Sequence, residues 1–319
     1  MLREFERACK FMSKLDRMIP FRMSTLSDPL QPCELSLKYS LGILRLAYEY
    51  SIPLILNTKS NLIMVDPWFK VVSEMACENL ILVQITLITL DDSLRRMLEP
   101  NAPSVNDRLR VLDILSSSDI PLILRLQPII PYVNDNLDFL EEYFNMAKSF
   151  NILQVIVEFL RHELSWINLL YRRLDLGFKP FNCWVRYDSR GVIVHPSLDY
   201  RVNVGSKLLD LSERYKIPVA FCKEGLFLYE TPFDCCGFRY LSKSAFRVTL
   251  KEYVKSGCKS FEDFIRRMEC KEEYHCGYKV RFYPRLLRKG LRAHERVLSN
   301  IIVNNRYHIS RGQHLVIKV

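Results

Sequence analysis

The sequence predicts an α/β protein, an incomplete (β/α) barrel of five parallel strands followed by an α+β C-terminal domain. Three observations lead there. Short β-branched runs alternate with helical patterns of 12 to 17 residues over the first two hundred positions, which is the signature of βα units. The strand runs are nearly continuous in apolar residues, as where helices cover a parallel sheet. One element, Ile52-Pro53-Leu54-Ile55-Leu56, recurs unchanged as Ile120-Pro121-Leu122-Ile123-Leu124, with Ile217-Pro218-Val219 as a relative. Proline is tolerated at a strand's first residue, so the element marks helix-to-strand junctions.

In chain order, Leu2 to Met18 has helical spacing and Phe21 to Thr25 reads as a strand ending at Ser27-Asp28-Pro29. Leu35 to Tyr50 is a helix, and Pro53 to Asn57 is a strand ending at Thr58-Lys59-Ser60. A helix near Trp68 to Cys77 leads to a strand over Leu80 to Thr86, and Asp91 and Asp92 open a short helix. Ser104 to Ser118 is a helix in which Ser104 stands three residues ahead of Asp107, the spacing of an N-cap pair. Pro121 to Leu126 is a strand, Asn136 to Ser149 a helix and Ile152 to Phe159 a strand. Trp166 to Leu176 continues as a helix, and Phe181 to His195 is strand-like with a turn at Ser189-Arg190-Gly191. Val204 to Tyr215 reads as a helix and Pro218 to Cys222 as a strand. Helices follow at Ser242 to Lys255, Phe261 to Met268 and Pro284 to Asn300. The weakening of the pattern between 165 and 180 sets the expected domains at 1–170 and 171–319.

Composition bounds the function. The 319 residues are 49% hydrophobic and 26% charged, a globular balance. No apolar run is long enough for a membrane helix, and the first residues lack the apolar core of a secretory signal. Ten cysteines without such a signal indicate a reducing, cytoplasmic setting. The charge is uneven: Tyr278 to Val319 holds ten Lys/Arg and one acid, so this tail accounts for +9 of the formal +10. Such a block is the footprint of a polyanion, and nucleic acid is the partner expected of tail 278–319. Tyr274, Tyr278, Phe282 and Tyr283 interleave there with Lys279, Arg281 and Arg285, the mixture that stacks on bases, or the edge of a core with basic neighbours.

Chemistry in parallel β/α folds sits at the carboxyl ends of strands. Those ends carry Ser27 and Asp28, Thr58 and Lys59, Thr86 and Thr89, Arg125 and Gln127, Glu158 and Arg161. Five polar endings after apolar runs suggest a shared mouth. The loops themselves resemble one family. Ser27-Asp28-Pro29-Leu30-Gln31-Pro32, Asn57-Thr58-Lys59-Ser60 and Gln84-Ile85-Thr86-Leu87-Ile88-Thr89 are similar, in that order, to segments of the radical S-adenosylmethionine proteins of the spore photoproduct lyase and DNA repair photolyase type. So are Asp91-Asp92, Leu98-Glu99-Pro100-Asn101-Ala102-Pro103-Ser104 and Arg125-Leu126-Gln127-Pro128-Ile129-Ile130-Pro131, where the family usually has Asp in place of Gln127. The resemblance covers roughly residues 20 to 163.

It implies a partial (β/α)6 barrel that binds S-adenosylmethionine and a 4Fe–4S cluster, a supply of reductant, and lyase-type radical chemistry on nucleic acid or another large anionic substrate. It implies a cofactor cleft lined by Asp28, Lys59, Thr86 and Arg125. Lys59 and Arg125 would hold the methionine carboxylate, and Asp28 and Thr86 would hydrogen-bond amino or ribose groups. The family's Cys-x3-Cys-x2-Cys cluster loop is missing from the sequence. The expectation is that the first strand and its loop are encoded just upstream. The alternative is a non-catalytic nucleic-acid-binding or scaffold protein with a structural metal.

Seven of the ten cysteines follow residue 180. Cys222, Cys235 and Cys236 are the expected ligands of an additional Fe–S or Zn site, since thiolate-rich sets suit those metals. Buried free thiols are the plainer reading. No His-Glu-x-x-His, Gly-x-Gly-x-x-Gly or Gly-Lys-Ser/Thr motif is present, so those metal and nucleotide sites have no support.

Overall fold

The computed structural model describes residues 2–23, 27–176, 183–187, 191–227, 229–304, 307–309 and 315–317. Six strands form one parallel sheet in the order β1-β2-β3-β4-β5-β9. They are β1 (Phe21–Met23), β2 (Leu54–Thr58), β3 (Ile81–Thr86), β4 (Leu122–Ile129), β5 (Gln154–Phe159) and β9 (Val219–Phe221). The first five are the expected neighbours, and the sheet is open, as an incomplete barrel requires. The sixth comes from beyond residue 171 and pairs with β5 in parallel, Ile156 opposite Ala220. Between them β6 (His162–Glu163), β7 (Trp184–Arg186) and β8 (Ile193–Pro196) make a small antiparallel sheet in the order β6-β8-β7. Ser24 and Thr25 of the first expected strand, and Phe181, Ser189 and Arg190 of the strand-like stretch, lie outside the described residues.

Helices α1 (Leu2–Met12), α2 (Glu34–Leu37), α3 (Tyr39–Glu49), α4 (Trp68–Cys77), α5 (Asp92–Leu98), α6 (Val105–Ser117), α7 (Leu137–Ser149), α8 (Leu164–Arg173) and α9 (Leu198–Tyr215) alternate with the strands. Their starts are written in side chains. Ser104 and Asp107 close a reciprocal capping box at α6, and Asn136 accepts the Phe139 N–H at 2.8 Å to open α7. The helix expected over Leu35 to Tyr50 is two helices. Lys38 takes a left-handed φ of 52° between them, and the buried Glu34 carboxylate accepts the Ser40 N–H at 2.6 Å. A side chain six residues back thus satisfies a donor that a continuous helix would have used internally.

The chain divides into two compact units, one made of Met1–Asn57, Leu62–Val83 and Gly237–Lys318, the other of Thr58–Asn61 and Gln84–Cys236. The position expected as a boundary, 170/171, lies inside α8 in the second unit. In the first unit the helix expected over Ser242 to Lys255 is corrected to α10 (Leu250–Ser256). The preceding residues are drawn into extended contacts instead, with Ser244 bridged to Met18 and Phe246 to Tyr274. Long-range pairing has overridden local helix propensity there. The unit continues with α11 (Phe261–Glu269), a 3₁₀ turn over Gly277–Phe282 and α12 (Arg285–Val303). No helix among the described residues is long and apolar enough to cross a membrane.

The second unit has one oily sheet face and one polar face. Successive strand residues point to opposite sides. Leu124, Leu126, Val155, Val157, Val219 and Phe221 share one side, and all are at most 1% exposed. Helix α9 sits on that side: a Cβ built at Gly205 would meet the Phe221 ring at 3.6 Å. Each such buried side chain contributes about 1.5–3 kcal/mol, so this face holds the sheet together and leaves the other free for polar work.

Candidate cofactor site

The second face is built from the residues between those apolar positions. Arg125 is opposite Ile156, and Ile156 is opposite Ala220. Strand alternation therefore puts Arg125 of β4, Gln154 with Glu158 on β5, and Cys222 just past β9 on one side, while Gln127 follows Arg125 at the irregularity where the β4–β5 register shifts between Leu126 and Ile129. Gln84 joins them from β3, because Arg125 Nη1 donates to Gln84 Oε1 at 2.8 Å. Thr86, two residues on, follows it. Polar side chains gathered on a parallel sheet require partners, since an unpaired buried polar atom costs about 1–3 kcal/mol.

Most find them in the chain. Gln84 Nε2 donates to the Cys236 carbonyl at 2.8 Å, and Gln154 Nε2 donates to the carbonyls of Asp234 and Cys235 at 3.3 and 3.2 Å. The two glutamines, both wholly buried, thereby fix the Asp234–Cys236 loop against the sheet. Gln127 is the exception: both of its side-chain amide atoms are buried and hydrogen-bond to nothing among the described residues. Gln154 Oε1 is likewise unpartnered.

A charged rim surrounds this face. Lys59 Nζ lies 2.5 Å from Glu99, whose other oxygen lies 2.8 Å from Arg108. Arg108, 1% exposed, also donates to the Thr86 carbonyl at 3.0 Å. Two cations share one carboxylate, so the cluster keeps a net positive charge beside the end of β3. The Leu98-to-Ser104 stretch wraps these arginines, with Arg95 donating to the Ala102 carbonyl at 3.2 Å and Arg108 to that of Pro103 at 3.1 Å. Beyond β5 and β9, Glu224 has no exposed side-chain surface and lies within 2.9–3.3 Å of Arg161, His195 and Arg201. Burial would raise its pKa, but the His195 hydrogen bond and the charges of His195, Arg161 and Arg201 outweigh that and lower it. Burial holds His195 below its usual range.

Of the residues singled out in the sequence, Lys59, Thr86 and Arg125 fall in this unit and are joined through Glu99, Arg108 and Gln84. Asp28 belongs to the other unit, where its Oδ1 accepts the Leu30 N–H at 2.9 Å. Cys235 and Cys236 have sulfurs 3.5 Å apart. Cys222 interacts electrostatically with both. Burial pushes the Cys222 thiol up to about 11. The Cys236 hydrogen bond, then burial, raises Cys235 well above the usual range. Among the described residues no group of three or more His, Cys, Asp or Glu can hold a metal ion. Sequence reasoning passed over Gln84, Gln154 and Glu224. The available signal was glutamine inside two otherwise apolar strands, where a side chain of that kind is rarely left unpaired.

The site is the polar face of an open parallel half-barrel. No protein-family model and no curated protein matches the sequence. Solved structures do match the fold. A double mutant of spore photoproduct lyase with bound AdoMet and dinucleoside spore photoproduct aligns at a TM-score of 0.51 with 11% identity, over 68% of this chain and 64% of that one. A single mutant of the same lyase aligns at 0.51 with 12% identity, over 69% of this chain and 66% of that one. Streptococcus suis SuiB bound to S-adenosylmethionine aligns at 0.43 with 11% identity, over 72% and 44%. The chain thus spans just under two thirds of the lyase and shares its fold.

Proposed function

We propose that this chain binds S-adenosylmethionine on the polar face of β3, β4, β5 and β9, as a radical S-adenosylmethionine-type half-barrel protein similar to spore photoproduct lyase. The observation that carries the reading is Gln127. Both ends of its amide are buried and unpaired two residues from the half-buried Arg125, so it has hydrogen-bonding capacity to offer a polar ligand. Arg125 and the positive Lys59–Glu99–Arg108 cluster supply cations for a carboxylate. The Thr86 hydroxyl and Gln127 amide supply directional hydrogen bonds. The part assigned to Asp28 rests on the resemblance alone.

The residues fit the cofactor better than they fit a cluster. A 4Fe–4S cluster needs thiolates, and the family's three-cysteine loop is missing from the sequence. A thermal-shift titration with S-adenosylmethionine tests the proposal. Stabilisation should grow with ligand to about 2.7 kcal/mol at one hundred times Kd and should shrink in Lys59→Ala and Thr86→Val. An unchanged melting temperature up to millimolar ligand would defeat it.

A further inference from the structure

The first unit carries a surface that the cofactor reading leaves unused, and the argument for it is independent of that reading. The 3₁₀ turn over Gly277–Phe282 is held at its start by two carboxylates. The Gly277 N–H donates to Glu295 at 2.8 Å, and the Tyr278 N–H donates to Glu269. Gly277 is required there. Its φ is +54°, and a Cβ would lie 1.8 Å from a Glu269 oxygen.

The consequence is electrostatic. Glu295 is the one acid between Tyr278 and Asn304, against the seven cations Lys279, Arg281, Arg285, Arg288, Lys289, Arg292 and Arg296. Its carboxylate accepts the Gly277 N–H and, with Glu262, lines a cleft beside Lys289, Arg292 and Arg296, so the cations of α12 outnumber the acids beside them. At the same end two aromatic rings stand in solvent, Tyr278 at 52% and Phe282 at 43% exposure. The Arg281 guanidinium lies over both, 5.0 and 4.9 Å from the ring centroids. Beside them is a cleft of about 230 Å³ lined by Asp16 and Glu272 as well as by Arg17, His275, Lys279 and Tyr283. That is smaller than the roughly 300–1,000 Å³ of sites for whole small-molecule ligands and is on the scale of one base. Burial pushes Tyr283 up and His275 down to about 4. Tyr283 therefore keeps its proton and His275 is neutral. The 2.6 Å contact between His275 Nδ1 and the Tyr283 hydroxyl is a hydrogen bond between these two neutral groups.

We infer that the Gly277–Phe282 turn and α12 form a binding surface for single-stranded nucleic acid, with Tyr278, Arg281 and Phe282 stacking on bases and the α12 cations meeting phosphates. Stacking on an aromatic is sequence-tolerant and needs unpaired bases, which selects single strands over duplex. A membrane surface would want large apolar residues among the cations, and among the described side chains of α12 the exposed ones are Val297 and Val303. Arg306, Arg311 and Lys318 of the expected basic tail lie outside the described residues.

Fluorescence anisotropy with labelled dT15 and rU15 tests this on the whole chain, with a 15-bp duplex, heparin and phosphatidylserine vesicles as competitors. Four or so phosphate contacts give a log–log salt slope of about −3 for single strands. Tyr278→Ala and Phe282→Ala, both at exposed rings, should each weaken binding roughly five- to 150-fold and leave the slope unchanged. The triple change Arg285→Gln, Arg292→Gln and Arg296→Gln should flatten the slope by about 2, with circular dichroism confirming that each variant is folded. Three results would overturn the inference: no binding at low salt, competition by duplex or heparin as strong as by single strands with the aromatic variants unaffected, or retention on the vesicles alone.

Discussion

Gln127→Leu separates stability from function at the site. The side chain sits on β4, two residues beyond Arg125, with its Nε2 and Oε1 both buried and unpaired. Each unpaired group costs about 1–3 kcal/mol. Leucine has a similar volume, and repacking a near-isosteric side chain costs less than about 1.5 kcal/mol. The substitution should therefore stabilise the unliganded protein by about 1–2 kcal/mol, seen as a rise of roughly 2–8 °C for a unit of this size at 2–4 °C per kcal/mol. The same change should remove the stabilisation that S-adenosylmethionine confers on the parent protein. Urea unfolding with and without the cofactor reads both effects. A variant less stable than its parent would show that the amide already has partners, and undiminished cofactor stabilisation would show that it does not face the ligand.

Three further outcomes follow from the geometry. Glu224→Ala leaves the largely buried Arg161 and Arg201 without their shared counter-charge and should cost about 3–5 kcal/mol in denaturant unfolding. Stability should fall on acidification from about pH 6.5 to about pH 4, because His275 is held neutral when folded, down to about 4, while the unfolded chain takes up the proton; His275→Gln should flatten that part of the stability–pH curve. In a thiol-labelling time course the exposed Cys33, Cys77 and Cys270 should react first, and Cys9, Cys222, Cys235 and Cys276, whose pKa values are raised, only slowly or on unfolding. Rapid labelling of Cys235 at neutral pH would contradict its raised pKa.

The strands were legible because each is an apolar run closed by polar residues, and the sheet order follows from parallel βα units being neighbours. The two sheet faces were not, because Gln84 and Gln154 are diluted among β-branched neighbours and read as incidental. Lys59 was legible as a polar strand end, but its partner Glu99 lies forty residues away in a loop noted only for its resemblance. Glu224 was passed over because the cysteine two positions earlier drew the attention, and only folding brings Arg161, His195 and Arg201 around it. The helix expected from Ser242 failed where a bridge to Met18 offered the backbone better partners than its own neighbours.

Equilibrium dialysis of the purified chain against radiolabelled S-adenosylmethionine tests the central claim most directly, with Gln127→Leu and Arg125→Leu run alongside. The account predicts one equivalent bound to the parent chain and a large loss in both variants while they remain folded. No retention by the parent at millimolar ligand, or equal retention by all three proteins, would contradict it.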